Sequence, residues 1–548
     1  MGVGVEFDYV VIGAGSAGCA VAARLSEGGD ATVGLLEAGG RDSNPWIHIP
    51  VGYFKTMNNP SVDWMYMTEP DPGLNGRRLP WPRGKVLGGS SSLNGLLYVR
   101  GQGEDYDGWR QSGNTGWGWD DVLPYFRRAE RQERGESEFH GADGPLSVSN
   151  MRLSRRICDE WVEAAQAAGY AYNDDYNGAT QEGVGYFQLT TANGVRCSSA
   201  TAYLKPNRKR PNLDIVTRAH VKRIVFDADK RATGVEILRG GRTEIIRARR
   251  EVILCAGALG SPQILMLSGI GPGAHLAEVG IDAVHEAAAV GTNLQDHLQA
   301  RLIYKCTRPT MNNEVRSLFG KMKIAAEYAL RRSGPMTMAA SLAVGFMKTR
   351  PEVATPDIQF HIQPWSADST HEGVHPFSAF TASVCQLRPE STGHLLLDPA
   401  NMLGAPKIHP NYLATPLDCA TAVAGVRIAR AISGYEPLKG AITEELRPGP
   451  ANTTDAELLD WVRNTASSIY HPTGTCRMGQ DAGSVVDERL RVRGVTGLRV
   501  ADCSIMPKIV SGNTNAPAIM IGEKLSDMVR EDAKRATPPS ARHIAGAA

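Results

Sequence analysis

An α/β chain of at least two lobes, with parallel strands at its N-terminal end, is the fold class that the sequence predicts. Three observations lead there. The first forty residues read strand, helix, strand. Strand-like runs return between residues 213 and 254. A block from about 306 to 465 then changes texture, mixing helical and strand periods, before glycine-rich turns and the strand-like LRVADCS resume. At 548 residues the chain also exceeds what one hydrophobic core accommodates.

Taken in order, FDYVVIG is a short apolar run that ends in glycine. SAGCAVAARLSEGG has helical apolar spacing and stops at paired glycines, and ATVGLLEAGG is a second apolar run ending in Glu37. Such a β-α-β unit implies parallel strands with a right-handed crossover. Residues 41–150, rich in Gly, Pro, Asp and Trp, read as long loops with short helices. LDIVTR, VKRIVFD, TGVEIL and TEIIRARREVILC read as strands. The most apolar stretch, residues 252–271, is interrupted by Gly, Ser, Pro and Gln, which fits a strand, a turn and a buried helix better than a membrane span. In the middle block KMKIAAEYALRR and CATAVAGVRIARAI are helical in period, and DIQFHIQPW and AFTASVCQLRP read as strands. No internal repeat is visible. The predicted division is 1–305 for the first lobe, with a small part of the other lobe within 41–200. The second lobe takes 306–465, the chain re-enters the first over 466–535, and 536–548 is a loose tail.

Formal net charge is +1, from 59 basic and 58 acidic residues, which gives no electrostatic reason to expect a nucleic-acid partner. Nine cysteines without a CxxC pair predict reduced thiols, a cytoplasmic setting and no metal site. MGVGVEFDYV lacks a basic stretch followed by an apolar core, and Glu6 stands where a myristoylation signal has a hydroxyl residue. No transmembrane segment is expected; peripheral membrane contact stays open.

The glycines Gly13, Gly15 and Gly18 form GxGxxG after a strand and at the opening of a helix. The first permits a tight turn, the second lets backbone approach a pyrophosphate, and the third lets helix and strand pack closely. The helix N-terminus, with Ser16 and Ala17, offers free N–H groups to phosphate. Glu37, followed by Ala38, is placed to accept hydrogen bonds from the adenosine ribose. This unit by itself fits FAD and NAD equally.

Three further segments narrow the reading: GKVLGGSSSLNG from Gly84 to Gly95, GALGSPQILMLSGIG from Gly257 to Gly271, and HPTGTCRMG from His471 to Gly479, followed by RVADCSIMPKIVSGNTNAPAIMIGEK. With the N-terminal unit they resemble the glucose–methanol–choline (GMC) oxidoreductase family, from about residue 5 to about residue 530. IYHPTGTCRMG and SGNTNAPAIMI resemble most the bacterial FAD-dependent alcohol dehydrogenases and choline dehydrogenases. The resemblance implies a doubly wound, Rossmann-like FAD-binding domain interleaved with a substrate domain of antiparallel sheet and helices. It implies FAD as cofactor and alcohols as substrates. GGSSSLNG, with Gly88, Gly89, Ser90, Asn94 and Gly95, suits a loop lying along the pyrophosphate and the flavin edge. Relatives with a covalent flavin link can have a histidine at the position of Leu93; leucine cannot make that bond, so non-covalent FAD is expected. Val221 matches the strand whose backbone meets adenine, Asp502 an acidic position near the ribityl and phosphate groups, and Ala256, Gly257 and Cys503 flank the same site.

By the same resemblance His471 is the catalytic base and Asn513 the second catalytic position, its amide donating to the substrate oxygen and adjoining the cofactor. Oxidising an alcohol removes a hydroxyl proton and a hydride, the latter going to flavin N5. Imidazole and alcohol differ by about nine pKa units, roughly 12 kcal/mol, so a free alkoxide cannot simply be held. Either positioned donors stabilise the developing charge or proton and hydride leave nearly together.

Choline-specific relatives carry a Glu at the position of Gln299 in QDHLQA. Glutamine cannot neutralise a quaternary ammonium, so an uncharged primary alcohol, aliphatic or aromatic, is expected. His361 and Gln363 fall on one face of DIQFHIQPW and are predicted to wall the substrate pocket, with Trp64, Trp365 and Tyr470. The electron acceptor, whether a quinone, a cytochrome or O2, is not legible. The alternatives are choline dehydrogenase, an O2-using alcohol oxidase, a flavin-dependent lyase or decarboxylase on this fold, an NAD-linked dehydrogenase and a non-enzymic flavin protein.

Overall fold

A computed structural model describes residues 5–368 and 373–536. Its first sheet runs, in spatial order, Leu213–Thr217, Val33–Glu37, Glu6–Ile12, Arg242–Leu254, Ala232–Arg239 and His220–Phe226, with Leu498–Val500 beside the end of Arg242–Leu254. The first four strands and Leu498–Val500 pair in parallel; the last two form an antiparallel meander. Parallel strands buried on both faces carry continuous apolar runs rather than alternation, and Val33–Glu37 is buried at every position.

The helix Ser16–Leu25 buries eight of its residues, among them Ala17, Gly18 and Val21. It packs against the long C-terminal helix Asn515–Ala536. That approach needs Gly522, where a Cβ would stand 2.6 Å from the Ala17 carbonyl oxygen. Glu523, buried between the helices, is held by Arg24 at 2.9 Å, Arg128 at 2.7 Å and the Tyr203 hydroxyl at 2.7 Å. A buried carboxylate persists only when it is paired in this way.

The second sheet is antiparallel: Ile442–Arg447, Leu298–Cys306, Ala379–Gln386, Ile358–Gln363, Ala343–Met347 and Gly183–Tyr186, with Ser467–Ser468 paired to Leu298–Cys306. The helix Pro416–Ser433 covers one face, coming close enough at Gly425 that a Cβ would meet Val384 at 2.8 Å. The sequence-based boundary at 305 therefore falls inside a strand, since all of Leu298–Cys306 lies in this sheet. The one at 466 falls just before Ser467–Ser468, which also joins it. Composition marks where chain texture changes, whereas hydrogen-bond pairing, which composition does not report, decides sheet membership. The predicted tail, beyond Ala536, lies outside the described residues.

Candidate active site

One cavity runs between the two sheets. The glycine turn lines one part of it, and His471, Asn513 and the strand Ile358–Gln363 line another. At the turn, Gly13 has φ +95, and a Cβ there would meet the Cys255 carbonyl oxygen at 2.6 Å. Gly18 sits directly beneath: its Cβ would stand 1.9 Å from the Gly13 carbonyl oxygen. Gly15, the residue before the helix, faces the cavity with its nearest neighbour 4.0 Å from a Cβ, which leaves room for a ligand where a side chain would otherwise project. The Glu37 carboxylate accepts from the Ala14 N–H at 3.0 Å and the Gly39 N–H at 2.8 Å, and burial pushes its pKa up to about 7.

Ser16, Ala17, Ala38, Gly89, Ser90, Asn94, Gly95, Val221, Ala256, Gly257, Asp502 and Cys503 all line this cavity. Gly18 and Gly88, also named as cofactor-binding, are not in the cavity wall. Gly18 is consumed in packing beneath the turn. Gly88, in the left-handed conformation, donates its N–H to the Ala14 carbonyl and opens the short helical turn Gly89–Ser92 one layer behind the cavity. Asp502 has a structural task as well: its carboxylate accepts from the Gly257 N–H at 2.9 Å and the Ser261 hydroxyl at 2.6 Å, fixing the start of the helix Gly257–Leu267. Leu93 is buried and lines the cavity, with no nucleophile to offer a flavin.

His471 is buried, and its backbone N–H donates to Asp296 Oδ1 at 2.6 Å. Asp296 also accepts from the Ser468 and Tyr412 hydroxyls. Tyr470, just before the imidazole, has φ +69, a costly backbone for a bulky residue. Its N–H donates to Ser468 Oγ at 2.7 Å and its carbonyl accepts from the Arg83 guanidinium at 2.5 Å, so both sides of the strained peptide are pinned.

Three contacts settle the proton positions on the ring. Leu387 O lies 3.0 Å from His297 Nε2, and a carbonyl only accepts, so that nitrogen carries hydrogen. Neutral His297 then presents a bare Nδ1, 3.0 Å from His471 Nδ1, which must be the donor. From the other end, Asn513 Oδ1 accepts from Gln359 at 3.4 Å, so its amide Nδ2 faces His471 Nε2 at 3.1 Å. Both lines of argument leave the Nε2 lone pair as the basic site facing the cavity. Burial, then the imidazoles of His297 and His361 and the charge of Arg83, hold the His471 pKa well below its ordinary value. Burial takes His297 to about 4 and His361 to about 3.

Gln299, His361, Gln363, Trp365, Tyr470 and Trp64 share the cavity wall. Sequence reasoning passed over His297 and Arg301, the latter also in the wall. They stand two positions either side of Gln299, and the period-2 rule for strands, applied to QDHLQAR, would have flagged both. Asp296, Tyr53 and Phe54 carried no such signal, because loop geometry brings them in. Among the described residues no group of three His, Cys, Asp or Glu is placed to hold a metal ion, and no helix is long and apolar enough to cross a membrane.

A parallel sheet with a glycine turn at its edge, opening into a cavity that ends at an imidazole–amide pair, is the arrangement of a dinucleotide-dependent enzyme. The chain belongs to the GMC oxidoreductase family, whose N-terminal model matches residues 7–299 and whose C-terminal model matches residues 389–522. It is 42% identical to an alcohol dehydrogenase (acceptor) of Pseudomonas putida, over 95% of both chains. It is 44% identical to an oxygen-dependent choline dehydrogenase of Brucella suis biovar 1, over 96% of both. Among solved structures, a pyridoxine 4-oxidase from Mesorbium loti superposes with a TM-score of 0.86 at 31% identity, covering 96% of this chain and 99% of that one. An Aspergillus oryzae formate oxidase variant does so with a TM-score of 0.91 at 29% identity, covering 97% and 99%. The cofactor is FAD, and the glycine cradle and Glu37 on the cavity wall fit it.

Proposed function

We propose that the protein oxidises a primary alcohol bearing no positive charge to the aldehyde, with His471 as general base. The observation that carries the reading is the pair formed by His471 Nε2 and Asn513 Nδ2, 3.1 Å apart on the wall of the FAD cavity. A substrate hydroxyl takes the place of the Asn513 N–H at the Nε2 lone pair, donating its proton to Nε2 and accepting from the released Asn513 amide, which stabilises the negative charge that develops as the proton leaves. His297 holds the ring in the tautomer that keeps Nε2 bare. Bound FAD supplies the hydride acceptor. Retention of both the base and the amide favours alcohol oxidation over a lyase or decarboxylase on the same fold.

A quaternary ammonium substrate is disfavoured on three grounds. Gln299 is neutral. The faces of Trp64 and Trp365, which could hold such a cation, already carry Lys85 Nζ at 4.3 Å and the Arg301 guanidinium at 5.6 Å. Arg301 adds a like charge to the same wall. Anaerobic mixing of the enzyme with a panel of alcohols tests the reading: flavin bleaching by a primary alcohol and not by choline supports it, and bleaching by choline alone overturns it. Admission of air to the bleached enzyme then separates O2 from a quinone or cytochrome as acceptor.

Peripheral membrane contact has one supporting observation. The helix Leu318–Arg331 turns Leu318, Phe319, Met322 and Leu330 to solvent, flanked by the exposed Lys321 and Lys323. Such a face suits the interface of an anionic bilayer. Co-sedimentation with phosphatidylglycerol vesicles, lost in Phe319→Glu, is the expected result; absence of binding by the unaltered enzyme rejects the contact.

A further inference from the structure

Arg301 lies on the strand Leu298–Cys306, two residues beyond Gln299, and lines the same cavity. Its Nη2 is buried and, among the described residues, has no hydrogen-bond partner and no carboxylate acting on its charge; the neighbours that favour it are the phenols of Tyr470 and Tyr53. Two fully buried guanidiniums are neutralised, Arg100 by Glu130 at 2.6 Å and Arg499 by Glu251 at 2.6 Å. Arg196, whose Nη2 likewise has no partner, is held by the Ile47 and Ser91 carbonyls and Asn94. An unpaired guanidinium taken out of water is costly unless a partner arrives.

The surroundings indicate what that partner is. Tyr53 Oη and Trp365 Nε1 are also buried, without partners, on the cavity wall. They supply neutral donors beside one positive charge. Phe54 and Met57 line the same region and give it apolar surface. One forked cation with neutral donors matches a single carboxylate, which accepts two parallel N–H bonds from an arginine.

We infer that Arg301 is a specificity-determining residue that receives the carboxylate of the substrate. The alcohol oxidised is then a hydroxycarboxylate, with its CH2OH at His471 and Asn513 and an apolar spacer along Phe54 and Met57. This rests on the alcohol-oxidation reading above and replaces the uncharged substrate expected from Gln299.

The test uses the FAD-loaded enzyme, a series of ω-hydroxycarboxylates of increasing spacer length, and their methyl esters. At the best length, the acid exceeds its ester in kcat/KM, and Arg301→Gln reduces that ratio on the order of 10- to 100-fold, as loss of a charged hydrogen bond does. Arg301→Lys, which keeps the charge and loses the fork, restores part of it. Hexanoate, which has no hydroxyl to oxidise, perturbs the flavin spectrum of the unaltered enzyme and not that of Arg301→Gln. Equal use of acid and ester by the unaltered enzyme overturns the inference, and so does an unchanged ratio in Arg301→Gln. Loss of FAD on purification of Arg301→Gln overturns it too, because the guanidinium would then be holding the cofactor. If no alcohol bleaches the flavin while the hexanoate signal still depends on Arg301, the oxidation reading fails and the carboxylate site stands.

Discussion

At the scale of single residues, the proposed oxidation turns on which nitrogen of His471 carries no proton. Replacing His471 by Ala is expected to slow flavin reduction by on the order of 10²-fold or more, read by stopped flow, because that is the usual contribution of a general base. The pH dependence follows from the depressed pKa. The ring stays unprotonated through the whole range above its folded pKa, so the reduction rate is expected to stay level as pH falls through 6.5, the ordinary imidazole value, and to decline only at more acid pH. An inflection centred at the ordinary value would mean that the ring is not buried as described. Leu93 carries a third expectation: acid precipitation should leave the flavin in the supernatant, whereas flavin remaining on the pellet would show a covalent bond formed elsewhere.

Among the secondary-structure elements, the strand–turn–helix at the N-terminus is the least tolerant. Gly18 is a packing residue, so even one methyl group there collides with the Gly13 carbonyl that shapes the turn. Gly18→Ala should therefore yield protein with little bound flavin or none, measured as the ratio of flavin to protein absorbance. Normal flavin content would show that the turn can shift at small cost. Gly13 is constrained in another way, by a positive φ as well as by the nearness of the Cys255 carbonyl. The turn Ser468–His471 stores strain at Tyr470 and holds it with the hydrogen bonds of Asp296, Ser468 and Arg83.

Across the whole molecule, the two sheets meet around a cavity whose glycine turn and Glu37 fit FAD, so binding there links the cofactor to stability. FAD at a hundred times its Kd should raise stability by about 2.7 kcal/mol over the apoprotein, seen as a higher melting temperature. Acidification acts in the opposite direction. His297, His361 and His471 are buried with depressed pKa values, so between those values and the unfolded imidazole value the unfolded chain binds more protons. Stability is therefore complete above the unfolded value and falls as pH drops below it, by up to about 1.4 kcal/mol per pH unit for each ring. Denaturant midpoints measured from pH 7.5 to pH 5 should decline accordingly, and less steeply in His361→Phe.

The sequence by itself determined the local elements, because their causes are local. Glycine spacing set the nucleotide turn, and the Gly, Ser, Pro and Gln that interrupt residues 252–271 separated that stretch from a membrane span. The site residues it named also cluster: all but Gly18 and Gly88 line one cavity. Only the tertiary structure decided where the lobes divide, since strand pairing across more than a hundred residues assigns Leu298–Cys306 to the second sheet. It alone set the proton positions on His471, through the Leu387 carbonyl brought in from another strand end. It alone showed that Arg301 has no carboxylate beside it among the described residues. Pairing, tautomer and charge balance depend on which distant groups come within a few ångströms, and a linear pattern does not encode that.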